Sequence, residues 1–399
     1  MLDTYRTILV VPGALLFSGA GLVARLPMSM VGLGIVLLVE AATDSYGLAG
    51  AVSATYVAAG AGFTILQGRL LDRLGQARVL VPVVAVFSTA VVLLMVSVQA
   101  DWPAATTYLL AAVGGACLPA AGSCVRARWS YALTGRPADL QTAFAFEAVV
   151  DEGVFIAGPI LVTVLATAIH PVVGLGTAVV AGLAGTTFLA AQRRSEPPAH
   201  PRDRAAARGR LPWRTLGPLS VVTLALGALF GAVEVVTVAF AEEQGNQAYA
   251  GPLLAVWALG SLLAGLVTGA IQWHTGPAGR LKLGALGMFV AMLPLPFIDS
   301  VPLMGLALLL GGFAIAPSLI ASTSLVEQVV PASRLTEGMS FIHTGIVAGV
   351  APGAALAGVI VDQSGPSAAY VVSVGAGLLA ALTALSLPRT SSRATEPAQ

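Results

Sequence analysis

Residues 68–78 read Gly68-Arg-Leu-Leu-Asp72-Arg73-Leu-Gly75-Gln-Ala-Arg78, between two apolar runs at 46–70 and 79–99. Each run reaches the roughly 20 residues that an apolar helix needs to cross a bilayer core. The stretch between them is short and mostly basic, which reads as a turn at one membrane face. Gly68 leaves room for a neighbouring helix backbone to approach closely. Asp72 puts a carboxylate at that face. A later helix is expected to begin there, near Leu335, with the partial positive charge of its N-terminus exposed. On the plainer reading, Asp72, Arg73 and Arg78 are only a solvated turn.

The rest of the chain repeats this pattern. Of 399 residues, 57% are hydrophobic and 10% are charged, and the mean hydropathy is +0.88. Soluble domains average about 25% charged residues, so too little polar surface exists to coat a water-soluble globule. Apolar runs at 10–39, 46–70, 79–99, 104–126, 141–167, 171–191, 215–241, 247–272, 280–298, 301–325, 335–361 and 367–388 predict twelve helices. Backbone facing lipid must satisfy its own hydrogen bonds, which makes these runs helical. The first run contains Pro27 and is expected to kink or to start later than residue 10. An even count places both termini on one side.

Charge identifies that side. Nineteen of the twenty basic residues fall in segments expected on one face, and the twentieth, Arg25, lies inside an apolar run. The opposite segments carry only acids: Glu40, Asp44, Asp101, Glu242, Glu243, Asp299 and Asp362. Basic residues stay cytoplasmic during insertion. Both termini are therefore expected in the cytoplasm, in a multi-pass protein of the cell's cytoplasmic membrane. A net charge of +1 gives no support for nucleic-acid binding. Cys117 and Cys124 are seven residues apart on one predicted helix, about 10.5 Å of rise, too far for a disulfide.

The one polar linker, 192–214, is rich in Arg and Pro and splits the chain into halves at 1–191 and 215–399. The halves echo each other. Gly114-Gly115 with Pro119 matches Gly311-Gly312 with Pro317, Thr142 and Pro159 match Thr336 and Pro352, and Ala49-Gly50 matches Ala250-Gly251. Such repeats are a transporter arrangement, with the substrate site between the halves.

The 68–78 stretch resembles the signature loop of the major facilitator superfamily, G-x-L-x-D-R-x-G-x-x-R. The resemblance extends over twelve spans, the 6+6 division and the basic linker. It implies an all-α membrane protein with two pseudo-symmetric six-helix bundles. It also implies a latch of Gly68, Asp72, Arg73, Gly75 and Arg78 against the eleventh helix, in which Asp72 lies near an arginine such as Arg78, Arg126 or Arg128. The second-half loop keeps Gly269, Gly276, Arg280 and Lys282 but no Asp. Two markers of the superfamily's drug:proton antiporters are missing. Gly153 and Gly158-Pro159 have the wrong spacing, and Leu110 and Ala111 stand where an Arg precedes the glycine pair.

Ionisable groups at membrane depth are functional candidates, since each is costly unless paired or hydrated. They are Arg25, Glu147, Asp151, Glu152, Glu234 and His343. Glu147 and Asp151 share a helix face. Three acids against a single arginine cannot all be ionised cheaply. The expectation is that Asp151 or Glu152 pairs with Arg25, Glu152 being favoured and Asp151 sharing a proton with Glu147, and that one of the acids carries the coupling proton, with His343 a lesser candidate. Pure structural pairing of Arg25 is the competing reading. Glu234, Pro119 and Pro317 are candidates for the cavity.

These features predict a secondary active transporter, not an enzyme. No P-loop, dinucleotide fingerprint, metal cluster or catalytic triad occurs, and no cofactor is expected. The first choice is proton-coupled export of a small, largely apolar molecule by alternating access, by a monomer in the lipid bilayer. The second is an importer or uncoupled facilitator of a small metabolite. From another class, a non-transporting sensor or scaffold with the same fold is the third.

Overall fold

The computed structural model describes residues 2–43, 46–199, 211–246, 249–271, 273 and 275–388. The linker residues 200–210, with four of its arginines, lie outside the described residues, as do Asp44, Arg389 and Arg393. The helices are α1 (Leu2–Leu9), α2 (Ala14–Thr43), α3 (Tyr46–Leu74), α4 (Gln76–Gln99), α5 (Ala104–Ala116), α6 (Ala121–Ala132), α7 (Pro137–Ala168) and α8 (Pro171–Ala191) before the linker. After it come α9 (Trp213–Glu243), α10 (Ala250–Ala270), α11 (Pro277–Met292), α12 (Val301–Gly312), α13 (Ile315–Val329) and α14 (Leu335–Leu385). Among the described residues, eleven stretches are long and apolar enough to cross a membrane. The last is long enough for two crossings, and α14 breaks at Gly365, where φ is +81° and Pro366 follows. Positive φ suits glycine, and proline cannot continue the preceding turn.

The first crossing starts later than residue 10. A short helix, α1, ends at Leu9, the chain turns at Gly13 with φ +83°, and α2 then runs through Pro27 without interruption. The fourth crossing extends past residue 126 to Ala132. It is broken between α5 and α6 beside Pro119, as the tenth is broken between α12 and α13 beside Pro317. The glycines before these breaks let helices touch. A Cβ on Gly115 would collide with the Tyr56 carbonyl, and one on Gly312 with the Trp257 carbonyl. Tyr56 and Trp257 are separated by the same 201 residues as Ala49 and Ala250, so the repeat seen in the sequence is also a repeat of contacts.

The glycine ladders interlock. Gly227 and Gly231 of α9 lie against the carbonyls of Ile346 and Val350, while Gly349 and Gly353 of α14 lie against those of Leu224 and Ala228. Backbone contact of this kind substitutes for the hydrophobic effect, which lipid does not supply between helices. Both cysteines are free thiols.

Candidate functional site

At the turn between α3 and α4, Gly75 has φ +90°, a conformation that favours glycine. Glu196, from the start of the linker, accepts the Ala77 amide at 3.1 Å and so covers the N-terminus of α4. Asp72 points the other way. Its Oδ1 accepts the Thr336 amide at 3.0 Å and its Oδ2 the Glu337 amide at 2.9 Å. One carboxylate thus caps two of the orphan N–H groups of α14 across the two halves. Gly68 makes this approach possible, because a Cβ there would lie 2.7 Å from Glu337 Cα.

The arginines at this clamp differ from those expected. Arg73 and Arg78 are exposed, Arg126 is occupied elsewhere, and Arg128 bonds Gln76, Ser195 and the Gln192 carbonyl. Arg69 instead donates to Glu337 at 2.6 Å, and Arg334 donates to the same carboxylate at 2.7 and 2.8 Å. Two acids and two arginines balance. Helix geometry explains the substitution: Arg69 is next to Gly68, on the turn of α3 that meets α14, whereas Arg73 and Arg78 lie beyond that contact.

Deeper, α2, α6 and α7 share a second charge-balanced group. Arg25 donates from Nη2 to Glu147 at 2.5 Å and from Nη1 to Asp151 at 2.6 Å. Arg126 donates to the other oxygen of Asp151 at 2.5 Å. Glu147 also accepts from Ser18 at 2.5 Å and from the Trp129 indole at 2.8 Å. Arg25 and Glu147 are sealed from solvent, at 2% and 0% exposure. Of the two partners expected for Arg25, Asp151 is found and the favoured Glu152 is not, and Glu147 and Asp151 each bond arginine. Residues 147 and 151 fall on one helix face, and residue 152 is turned about 100° away from 151. The expectation of a single arginine also fails, because the fourth crossing continues past Arg126 and brings it in as a second cation.

Glu152 faces the other half. It lines a small cavity with Ala148 and Val149 of α7, Ser261 and Leu262 of α10, and Ala316 and Leu319 of α13. Its polar neighbour there is the Ser261 hydroxyl, with no cation in the lining. His343 of α14 approaches the Asp151–Arg126 pair from the second half. Glu234 on α9 is exposed and apart from both groups. Pro119 is buried and Pro317 half-buried at the two helix breaks, where each removes a backbone donor. Sequence reasoning missed Arg69, Arg334, Glu337, Ser18, Trp129 and Ser261 as site residues. Glu337 had a signal, an acid in the first turn of an expected helix. Ser18, Trp129 and Ser261 had none, because nothing in the sequence says what they face.

The chain belongs to the Major Facilitator Superfamily: the family model matches residues 17–310 and 281–399. It is a multi-pass membrane transporter and not an enzyme. No curated protein matches it. Among solved structures, a bacterial homologue of the iron transporter ferroportin in the outward-facing state is similar with a TM-score of 0.75 and 13% identity, covering 93% of this chain and 98% of that one. The transporter FucP in the outward conformation is similar at 0.72 and 16% identity, over 96% and 99%. The human organic anion transporter MFSD10 is similar at 0.68 and 19% identity, over 94% and 98%.

Proposed function

We propose that this chain exports a small, largely apolar molecule in exchange for protons by alternating access, with Glu152 as the proton-carrying group. The observation that carries the reading is the placement of Glu152 on the seam. It is a carboxylate in an apolar cavity whose walls come from both halves, with one hydroxyl as polar neighbour and no cation. A charge in such a place is costly, and a proton relieves the cost. When the seam parts and water enters, that cost falls. Protonation and conformation are thereby linked, which is what coupling requires. Glu147 and Asp151 are poorer carriers, since each already has two or more cationic or neutral donors within 2.8 Å. The clamp at Asp72 and Arg69 closes the linker end, so the state described here is the one that faces away from the linker. By the charge asymmetry, the linker side is the cytoplasm.

The test is a purified, reconstituted transporter with a pH-reporting dye inside the liposomes. A panel of apolar and weakly basic compounds is first screened by thermal shift, since a binder stabilises the folded state. With a compound so found, Glu152→Gln is expected to abolish accumulation against a gradient and to retain downhill exchange. Undiminished pH-driven accumulation in Glu152→Gln would sink the proton assignment. Another group would then carry the proton; no pH-driven accumulation in the parent protein would instead favour uncoupled facilitation, and opposite vesicle orientations decide between export and import.

A further inference from the structure

The seam between α7 and α10 has its own chemistry at the linker end. Helix α10 ends at Ala270, past which the Thr268 carbonyl accepts the Trp273 indole at 3.1 Å and the Gly269 carbonyl looks to the first half for its donor. The first half supplies donors. Thr142 Oγ1 donates to the Gly269 carbonyl at 2.8 Å. Gln141 Nε2 reaches the carbonyls of Thr268 and Ile271 at the longer distances of 3.4 and 3.3 Å. Tyr5, from α1, packs its ring on Phe146 of α7 with centroids 6.5 Å apart. Its hydroxyl crosses to the other half and donates to the Leu266 carbonyl of α10 at 3.0 Å. A Cβ on Gly269 would collide with that hydroxyl and lie 2.5 Å from Ala145 Cβ.

This contact answers the Asp72 clamp across the repeat. Gly68 and Gly269 are 201 residues apart, and Thr142 and Thr336 are 194 apart. On one side a carboxylate caps the amides at the start of α14. On the other, neutral hydroxyl and amide donors cap the carbonyls at the end of α10. At the same 201-residue offset the position answering Asp72 is Trp273, which has no carboxylate, so this contact is made by donors of the first half. The same seam leads inward past Val149 and Gly265 to Glu152 and Ser261. Ten residues of α7 separate Thr142 from Glu152, about 15 Å of rise.

We propose that α1 is a strap across the linker-end gate, and that Tyr5 and Thr142 are positioning residues that hold this gate shut as a second, uncharged latch. The inference rests on the alternating-access part of the proposed function, and not on its proton coupling or direction. Breaking the seam exchanges each hydrogen bond for one to water. Losing one donor therefore shifts the balance between the two states by about twofold to tenfold.

The test uses the full chain with Cys117 and Cys124 replaced by Ala and spin labels at Ala41 and Glu242, which flank the opposite end of the two halves. Wild type is expected to show a dominant long distance and a minor short one, the latter from molecules open at the linker end. Tyr5→Phe, which removes only the hydroxyl, and Thr142→Val should each raise the short-distance population severalfold, and together more than either alone. Thr142→Ser should restore the wild-type distribution. Thr142→Val has a second effect, since burying a methyl next to an orphan carbonyl can impair folding, but Tyr5→Phe does not share that risk. Unchanged populations in Tyr5→Phe and Thr142→Val overturn the latch while leaving alternating access intact. A single distance in wild type under all substrate and pH conditions overturns the alternating-access reading instead.

Discussion

Replacing Asp72 by Asn tests the clamp with the least change of shape. In the native clamp both carboxylate oxygens accept amides of α14, at 3.0 and 2.9 Å. The amide side chain keeps one acceptor and turns an N–H₂ towards the other backbone donor, so one contact becomes donor against donor. Two losses follow. The charge at a helix N-terminus is worth about 0.3–1 kcal/mol when exposed and up to about 2 when partly buried. A hydrogen bond to a charged group contributes about 1.5–3 kcal/mol. The two overlap and do not add fully, so about 2–3 kcal/mol is the expected cost to the closed state, roughly 30- to 150-fold in the equilibrium. The opening can be read from a cysteine at Ser340, a buried position beneath Gly68, in a background lacking Cys117 and Cys124. Ser340→Cys is nearly isosteric. Its alkylation by a soluble maleimide reports the fraction of time that the seam is open. Asp72→Asn should speed alkylation by more than tenfold, slow transport, and leave substrate affinity near its original value. An alkylation rate within twofold of the parent would show that Asp72 does not hold the gate and that the turn is merely solvated.

The Arg25 group should behave as structure. Arg25→Leu leaves Glu147 buried without its cation, and removing one partner of such a pair costs about 3–5 kcal/mol. Thermal unfolding in detergent should drop sharply for Arg25→Leu and recover in part when Glu147→Leu is added, whereas equal loss in both would argue against the pairing. Gly115→Ala and Gly312→Ala each push a methyl into a neighbouring carbonyl, so monodisperse yield on size exclusion should fall in both. Normal yield would mean that these helices do not approach as described. For topology, cysteines at Asp101 and Asp299 should react with an impermeant thiol reagent added to intact cells. Labelling of a cysteine in the 192–214 linker instead would reverse the orientation.

Much of the architecture was legible in the sequence because lipid leaves few choices. A long apolar run must be a helix, and its length relative to the bilayer counts the crossings. The glycines of 68–78 were legible in part. Gly68 reads as a close contact, whereas the left-handed turn at Gly75 came from the structure. Asp72 was readable as a clamp only through the resemblance of 68–78 to the superfamily's signature loop, since a carboxylate in a basic turn is otherwise as well read as solvated. The breaks at Pro119 and Pro317 were present as a repeated pattern, though the sequence did not show that the chain would leave the helix there.

Partner choice was decided by the tertiary structure. The sequence placed three acids in six residues of α7, but not the neighbours that each would face. Their 100° steps send Glu147 and Asp151 to Arg25 and Arg126 and send Glu152 to the seam, so near neighbours in sequence receive opposite roles. Arg126 ends its apolar run in the sequence and reads as a candidate partner of Asp72, because hydropathy stops a run at a charge without knowing that Asp151 compensates it. Tyr5 and Ser261 carried no local signal at all. Their meaning comes from the opposite half of the molecule, 261 residues away from Tyr5 at the Leu266 carbonyl, and a contact of that range is set only when the two bundles close on each other. Local pattern and the bilayer determine which segments are helices and where they turn, whereas the facing of side chains across the seam depends on how the two halves pack.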